Sequence, residues 1–283
     1  MIVVVGSHGM LGQELLAMYG ERAIGLDLPD IDITDMLSVQ NALTPLKPQT
    51  VINCAAFTDV DGCERDVERA MQVNAEGVAY LAMITAGLGA KLVHISTDYV
   101  FDGLKRSPYL PEDLQKPLNI YGDSKLAGEL NTDINPDNLV IRTQWLYGHH
   151  GKNFVETIIT AARERGRLSV VNDQTGTPTW TADLCRGIIA LIDAGQKGVF
   201  HCVNGGATTW YGFAEEILRV TGIPCELTPQ SSAELDRPAK RPGYAVLDTS
   251  SFCAATGYVP ESWQEALARY LNGRVVIQGG QDV

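Results

Sequence analysis

Seven residues near the start set the terms for the rest of the chain. Gly6-Ser7-His8-Gly9-Met10-Leu11-Gly12 follows the β-branched run Ile2–Val5 and leads into the helical periodicity of Leu11–Tyr19. Three glycines spaced G-x-x-G-x-x-G between a strand and a helix allow a tight turn that brings backbone N–H groups to the positive end of the helix dipole. Such a turn also occurs as a plain βα connection. Its place at the first βα junction of a long series favours a dinucleotide pyrophosphate as what it receives.

The series itself is regular as far as residue 147. Strands are expected at Ile2–Val5, Ala23–Asp27, Thr50–Cys54, Lys91–Ser96 and Leu139–Arg142, and helices over Leu11–Tyr19, Leu37–Leu46, Glu64–Gly87 and Tyr121–Asn131. Strands alternating with helical crossovers predict an α/β protein with a Rossmann-type, doubly wound parallel sheet. Beyond 148 the pattern loosens. Phe154–Arg165 and Thr181–Ala194 read as helical, Leu168–Val171 and Val199–Val203 as extended, and Pro and Gly thicken from Pro224 to Pro242 around Arg237, Lys240 and Arg241. The expected division is a dinucleotide-binding domain over 1–147, rejoined by a segment at about 172–203, and a smaller, interleaved α/β substrate-binding lobe over 148–283. Gly273–Val283 reads as a polar tail.

Composition narrows the partners. At 283 residues and 45% hydrophobic, the chain is long enough to bury a sizeable core. It carries 22 Lys and Arg against 34 Asp and Glu, a net charge of −12. An acidic surface repels polyanions, so neither nucleic acid nor a membrane is expected as a partner. Cys54, Cys63, Cys185, Cys202, Cys225 and Cys253 are scattered, with no C-x-x-C. They read as reduced thiols of a cytoplasmic protein, and the opening Met1–Gly6 reads as a strand, neither a secretory leader nor a membrane span.

Candidate chemistry gathers at strand ends. Asp27 closes the second strand, fifteen residues after Gly12, where a carboxylate accepts hydrogen bonds from an adenosine ribose. Leu28-Pro29 follows it with no basic residue for a ribose phosphate, which favours NADH over NADPH. Tyr121-Gly-Asp-Ser-Lys125 places a phenol and an ammonium one helical turn apart. An ammonium beside a phenol is expected to lower its pKa and to hold a nicotinamide ribose. Ser96-Thr97-Asp98 ends the preceding strand, so hydroxyl, phenol and ammonium together suit protonation of an oxygen whose carbon receives hydride. A Ser hydrolase would need a G-x-S-x-G elbow, which the sequence lacks. His149-His150 reads as a solvated pair, with no metal-ligand set around it.

These segments resemble the dTDP-4-dehydrorhamnose reductase family of extended short-chain dehydrogenases/reductases. The likeness is carried by Gly6–Gly12, Asp30–Asp35, Asn53–Asp61, Val73-Asn74, Ser96–Gly103, Tyr121–Lys125, Arg142–Tyr147, Asn172–Thr179, Thr208–Ala214 and Arg237–Pro242, and runs from residue 1 to about 271. It implies an NADH- or NADPH-dependent reduction of dTDP-4-dehydro-6-deoxy-L-mannose to dTDP-L-rhamnose, the last step of dTDP-rhamnose synthesis. It implies that Gly6, His8, Gly9, Met10, Leu11 and Gly12 form the pyrophosphate turn. Asp27, Asp32, Ile33, Ala55, Ala56, Thr58 and Asn74 would border the rest of the cofactor. Thr97, Tyr121 and Lys125 match the family's catalytic trio, with Tyr121 and Lys125 also touching the cofactor, while Thr97, Asp98, Phe101, Trp145, Asn153, Arg237 and Arg241 are implied contacts of the dTDP-sugar substrate.

Some members of that family dimerise around a magnesium ion held by glutamates. Glu14 matches the first of these, but Ala182 and Gly273 stand at or near the others, so no metal site is expected and the chain is expected as a monomer or homodimer. Two rivals share parts of the pattern. A sugar-nucleotide epimerase or 4,6-dehydratase has the same turn and Y-x-x-x-K, but elimination needs an Asp-Glu pair after the Thr, and here Tyr99 follows Asp98. A regulatory subunit resembling that of methionine adenosyltransferase would bind nucleotide without needing Thr97, Tyr121 and Lys125 intact.

Overall fold

The structure, a computed structural model, describes residues 1–279, and from 274 onward the backbone alone. Five strands, β1 (Ile2–Val5), β2 (Ala23–Leu26), β3 (Thr50–Asn53), β4 (Lys91–Thr97) and β5 (Leu139–Thr143), join Gly198–His201 in one six-stranded sheet. Across it the order is Gly198–His201, β5, β4, β3, β1, β2, with every pair parallel. From β1 the chain first builds outward to β2, then crosses back to β3 and builds the other way. That reversal opens a crevice at the carboxyl ends of β1 and β3, where open α/β sheets bind ligands.

Inner strands of such a sheet are covered on both faces and read as unbroken apolar runs. Val3, Val51 and Leu92 face one layer, packed with Val39 and Leu43 of helix Met36–Leu43 and with Val78 and Leu81 of helix Gly77–Gly87. Val4, Ile52 and Ile141 face the other, against Leu11 and Leu15 of helix Met10–Tyr19 and Leu184 and Ile188 of helix Thr181–Asp193. A separate core unites helices Phe154–Arg165, Trp210–Thr221 and Trp263–Gly279 through Val155, Ile159, Phe213, Ile217, Leu267 and Tyr270.

Several segments differ from the sequence reading. The single helix expected over Glu64–Gly87 is broken into Val60–Arg65, Val67–Met71, a π-helical turn at Gln72–Glu76, and Gly77–Gly87. Asp66 causes the break: it leaves helical geometry at φ −131° and its carboxylate accepts the Arg69 N–H at 3.0 Å, capping a new start. Helix Trp210–Thr221 arises where no element was assigned. In the segment read as a polar tail, the backbone stays helical through Gly279, continuing a helix whose Tyr270 and Leu271 are buried; residues 280–283 lie outside the described residues. No helix among the described residues is long and apolar enough to cross a membrane.

Candidate active site

The glycine turn is fixed by contacts that a side chain would break. Gly6 holds φ at +77°, and a Cβ there would stand 2.5 Å from the Ala55 nitrogen; one at Gly12 would stand 2.3 Å from the Gly6 carbonyl oxygen. Helix Met10–Tyr19 starts at Gly9 with no side-chain cap, so its first amides are available to an anion. Asp27 reaches back from β2, accepting the His8 N–H at 2.8 Å and the Leu28 N–H at 2.9 Å. Gly6, Gly9, Asp27, Asp32, Ile33, Ala55 and Ala56 line a cleft of about 290 Å³, which Arg69 also borders. The Thr34 hydroxyl and amide both donate to Asp32 and hold its carboxyl below the usual range.

A second cleft of about 500 Å³ shares Gly9, Cys54 and Ala56 with the first, and Met10, Leu11, Gly12 and Thr58 form its near wall. On its far wall stand Thr97, Asp98, Tyr121, Lys125, Gln144 and Trp145. Two abutting clefts over an uncapped helix end have room for the two halves of a dinucleotide, and Tyr121 and Lys125 line the second. Thr97 ends β4, its hydroxyl donating to Asp98 Oδ1 at 3.0 Å and accepting the Tyr99 N–H at 3.2 Å. Helix Ile120–Asn131 is capped by Asn119, which accepts the Gly122 N–H at 2.8 Å. It lies so close to its neighbours that a Cβ at Gly122 would be 2.3 Å from the Tyr99 oxygen and one at Gly128 2.2 Å from the Asn74 oxygen.

Burial sets the charges here. Tyr121 is driven upward first by desolvation and then by the Asp98 carboxyl, so its phenol keeps its proton. Burial pulls Lys125 down to about 8 and pushes Asp98 up to about 7. The expected lowering of the phenol by the lysine is not met in this geometry: Lys125 Nζ donates to the Ile95 carbonyl at 2.6 Å and lies 3.3 Å from His94 Nε2.

Four buried polar atoms of the second cleft have no partner among the described residues: Asp98 Oδ2, Thr143 Oγ1, and both amide atoms of Gln144. Groups of this kind cost stability unless a ligand satisfies them. Beside them the Trp145 ring stacks on Trp210 at 3.7 Å and 15°. Trp145 sits at φ +49°, a strained setting for an indole-bearing residue, and Gly176 makes room for it, since a Cβ there would lie 2.7 Å from the ring and 2.5 Å from Gln144 Oε1. Gln144, Trp210 and Arg69 were not singled out from sequence, although Gln144 and Trp210 lie within two of the resembling segments.

Several expected contacts are placed elsewhere. Phe101 is fully buried away from the cleft, stacked on Tyr109 at 4.3 Å with the Arg142 guanidinium over its ring. Asn153 caps helix Phe154–Arg165, accepting the Glu156 N–H at 3.1 Å and donating to the Gly148 carbonyl at 2.8 Å. Asn74 lies wholly inside, where its amide bonds Phe57 N and O and the Ser124 hydroxyl. The His8 ring is largely exposed, with Nδ1 3.9 Å from Asp27 Oδ2, and its backbone N–H serves the turn. Arg241 forms a two-pronged pair with Asp61 at 2.7 and 2.8 Å, and both Arg237 and Arg241 border a separate cleft with Gln174, Ser232 and Lys240.

The chain matches the RmlD substrate binding domain family over residues 1–275. It is 39% identical over 277 residues to the spore coat polysaccharide biosynthesis protein SpsK of Bacillus subtilis (strain 168), covering 96% of this chain and 97% of that protein. To the dTDP-4-dehydrorhamnose reductase of Streptomyces griseus it is 40% identical over 276 residues, or 94% and 91% of the two chains. A crystal structure of a dTDP-4-dehydrorhamnose reductase from Clostridium acetobutylicum superposes with a TM-score of 0.93 at 41% identity, covering 96% of this chain and 98% of that one. One from Bacillus anthracis, in complex with NADP, gives 0.94 at 35% identity with the same coverage. The likeness spans both the sheet and the smaller lobe, and the chain belongs to the RmlD substrate binding domain family.

Proposed function

We propose that this protein is a cytoplasmic reductase that converts dTDP-4-dehydro-6-deoxy-L-mannose to dTDP-L-rhamnose with NADH or NADPH. The observation that carries this reading is the cluster of unpartnered polar atoms on Asp98, Thr143 and Gln144, set in the same cleft as the Tyr121 phenol. A hydroxyl-rich ring would satisfy all of them, and its carbonyl oxygen would face a phenol that keeps its proton. The names of full-length relatives support the same substrate class.

When bound, the nicotinamide supplies hydride to the sugar carbon. Tyr121 donates its proton to the oxygen on that carbon, and the Thr97 hydroxyl, its proton turned from Asp98 Oδ1 to the substrate, holds the same oxygen in line. Trp145 and Trp210 offer indole faces to the sugar or base. Residues 1–147 and about 172–203 would hold the cofactor, and the smaller lobe the nucleotide sugar. The sequence preference for NADH rested on Leu28-Pro29, but Arg69 borders the cleft that also holds Asp27, which gives a ribose phosphate a cation to meet.

A second reading has its own support, since the dTDP-4-keto-6-deoxy-D-glucose reductase of Streptomyces niveus is 39% identical over 274 residues. A coupled assay from dTDP-glucose with a 4,6-dehydratase separates the two, run with and without the 3,5-epimerase and with each cofactor. Oxidation of NAD(P)H only when the epimerase is present is the expected result. Oxidation without it would favour the second sugar, and none in either arm would overturn the reductase reading.

A further inference from the structure

Behind the cleft, a line of hydrogen bonds joins the cofactor wall to Lys125 through two side chains that the proposed chemistry does not use. The Ala55 N–H donates to Asn53 Oδ1 at 3.0 Å, which fixes the amide so that its NH₂ faces His94. Asn53 Nδ2 then lies 3.2 Å from His94 Nδ1, and His94 Nε2 lies 3.3 Å from Lys125 Nζ. Nζ also donates to the Ile95 carbonyl at 2.6 Å. Asn53, His94 and Lys125 are all buried at 2% exposure or less, so water does not repair a mismatch among them.

Counting protons along this line leaves one consistent arrangement. An amide NH₂ can only donate, so Nδ1 must accept, and a neutral imidazole then carries its hydrogen on Nε2. An N–H at Nε2 needs a lone pair opposite it, and an ammonium has none. With Lys125 charged, one donor must face another somewhere between Ala55 and Ile95; with Lys125 as the amine, every contact pairs a donor with an acceptor.

We propose that His94 is the positioning residue of Lys125: pinned by Asn53 with its proton on Nε2, it disfavours the ammonium form of the lysine in the ligand-free protein. Burial works in the same direction, depressing His94 well below its ordinary value and Lys125 as well. The titratable groups facing Nζ are His94 on β4, Cys54 at the end of β3, and Glu129 on the lysine's own helix. Glu129 is already paired with Arg142 at 2.7 and 2.9 Å, and burial pushes the Cys54 thiol up to about 12, so neither supplies a free anion. On the helix's other neighbours, Asp98 and Tyr99 lie toward Tyr121, and Glu64 accepts the Ile120 N–H.

The inference rests on the reductase reading only for the use made of Lys125. Its test needs no turnover. Long-range proton–nitrogen NMR of the ligand-free, 15N-labelled protein reads the tautomer of each of its 5 histidines, and the spectrum of His94→Gln identifies the signals of His94. The expected pattern is a protonated Nε2 and a bare Nδ1, unchanged through neutral pH. Asn53→Asp puts an acceptor-only carboxylate opposite Nδ1, so the imidazole should invert. Titration of the Lys125 ε-methylene should then move upward by about one pH unit or more. A proton on Nδ1 in the parent protein, an imidazolium, or an unmoved lysine titration in a folded Asn53→Asp variant would overturn the proposal. Should that variant not fold, the parent tautomer decides alone. Absence of substrate-dependent NAD(P)H oxidation would strike the reductase reading and leave the tautomer untouched.

Discussion

Tyr121 keeps its proton because water is excluded from its wall and a carboxyl stands near, and both effects raise a phenol. Tyr121→Phe removes that proton while keeping the ring, so kcat for substrate-dependent NAD(P)H oxidation should fall about 10²- to 10⁴-fold, with cofactor affinity measured by calorimetry unchanged. Gln144→Ala should act on the other side of the split. It deletes two buried, unpartnered groups that the proposed sugar would satisfy, so KM should rise by the equivalent of about 1–3 kcal/mol while kcat changes little. The contrast shows what a sequence makes legible. That Thr97, Tyr121 and Lys125 line one cleft was readable because their spacing at a strand end and a helix turn is itself the signal. Gln144 was not, since its significance lies in burial without a partner, a relation that exists only after folding. Phe101 erred for the opposite reason: it lies within a resembling segment, yet the fold turns it inward onto Tyr109.

Among elements, the sheet and its first helices were legible from alternating periodicities, and the interruptions were not. Asp66 looks like one more polar residue on a helix surface until its carboxylate is seen to cap Arg69, and the π-helical turn that follows carries Asn74 into the interior to hold Phe57. The same capping chemistry accounts for Asn153, whose sequence context suggested a ligand contact. Asn153→Ala should lower the urea unfolding free energy by about 1 kcal/mol and leave the KM for the nucleotide sugar where it was. Gly176→Ala should act on both, overpacking a buried site at a cost of about 1–3 kcal/mol and disturbing the cleft. Its methyl group would press on Trp145 and Gln144, so a raised KM is the measurement that checks it.

Over the whole molecule, the smaller lobe is tied to the sheet domain by residues remote in sequence, and a pairing across that distance leaves no periodic trace. Arg241 and Asp61 meet across 180 positions, with the arginine almost fully enclosed. The guanidinium holds the Asp61 carboxyl at about 2, below its ordinary 3.8. A depressed carboxyl contributes stability in full above its unfolded value and loses it as pH falls through the folded one. The gap in Tm between the parent and Asp61→Asn should therefore be constant above about pH 5 and narrow between about pH 4 and about pH 2. The charge of −12 carries the same lesson: of the basic cluster, Arg241 is tied to Asp61, and the helix end after Gly12 is left without a side-chain cap. The stacked indoles also join the two parts, Trp145 following β5 and Trp210 opening a helix of the smaller lobe. Two parallel rings at 3.7 Å couple their electronic transitions, whereas Trp180 and Trp263, the other two of the chain's 4 tryptophans, lie in the core and form a steady background. That pair can serve as a native optical gauge: if a nucleotide sugar parts the rings, the split circular-dichroism band should collapse, reporting occupancy in real time without a label.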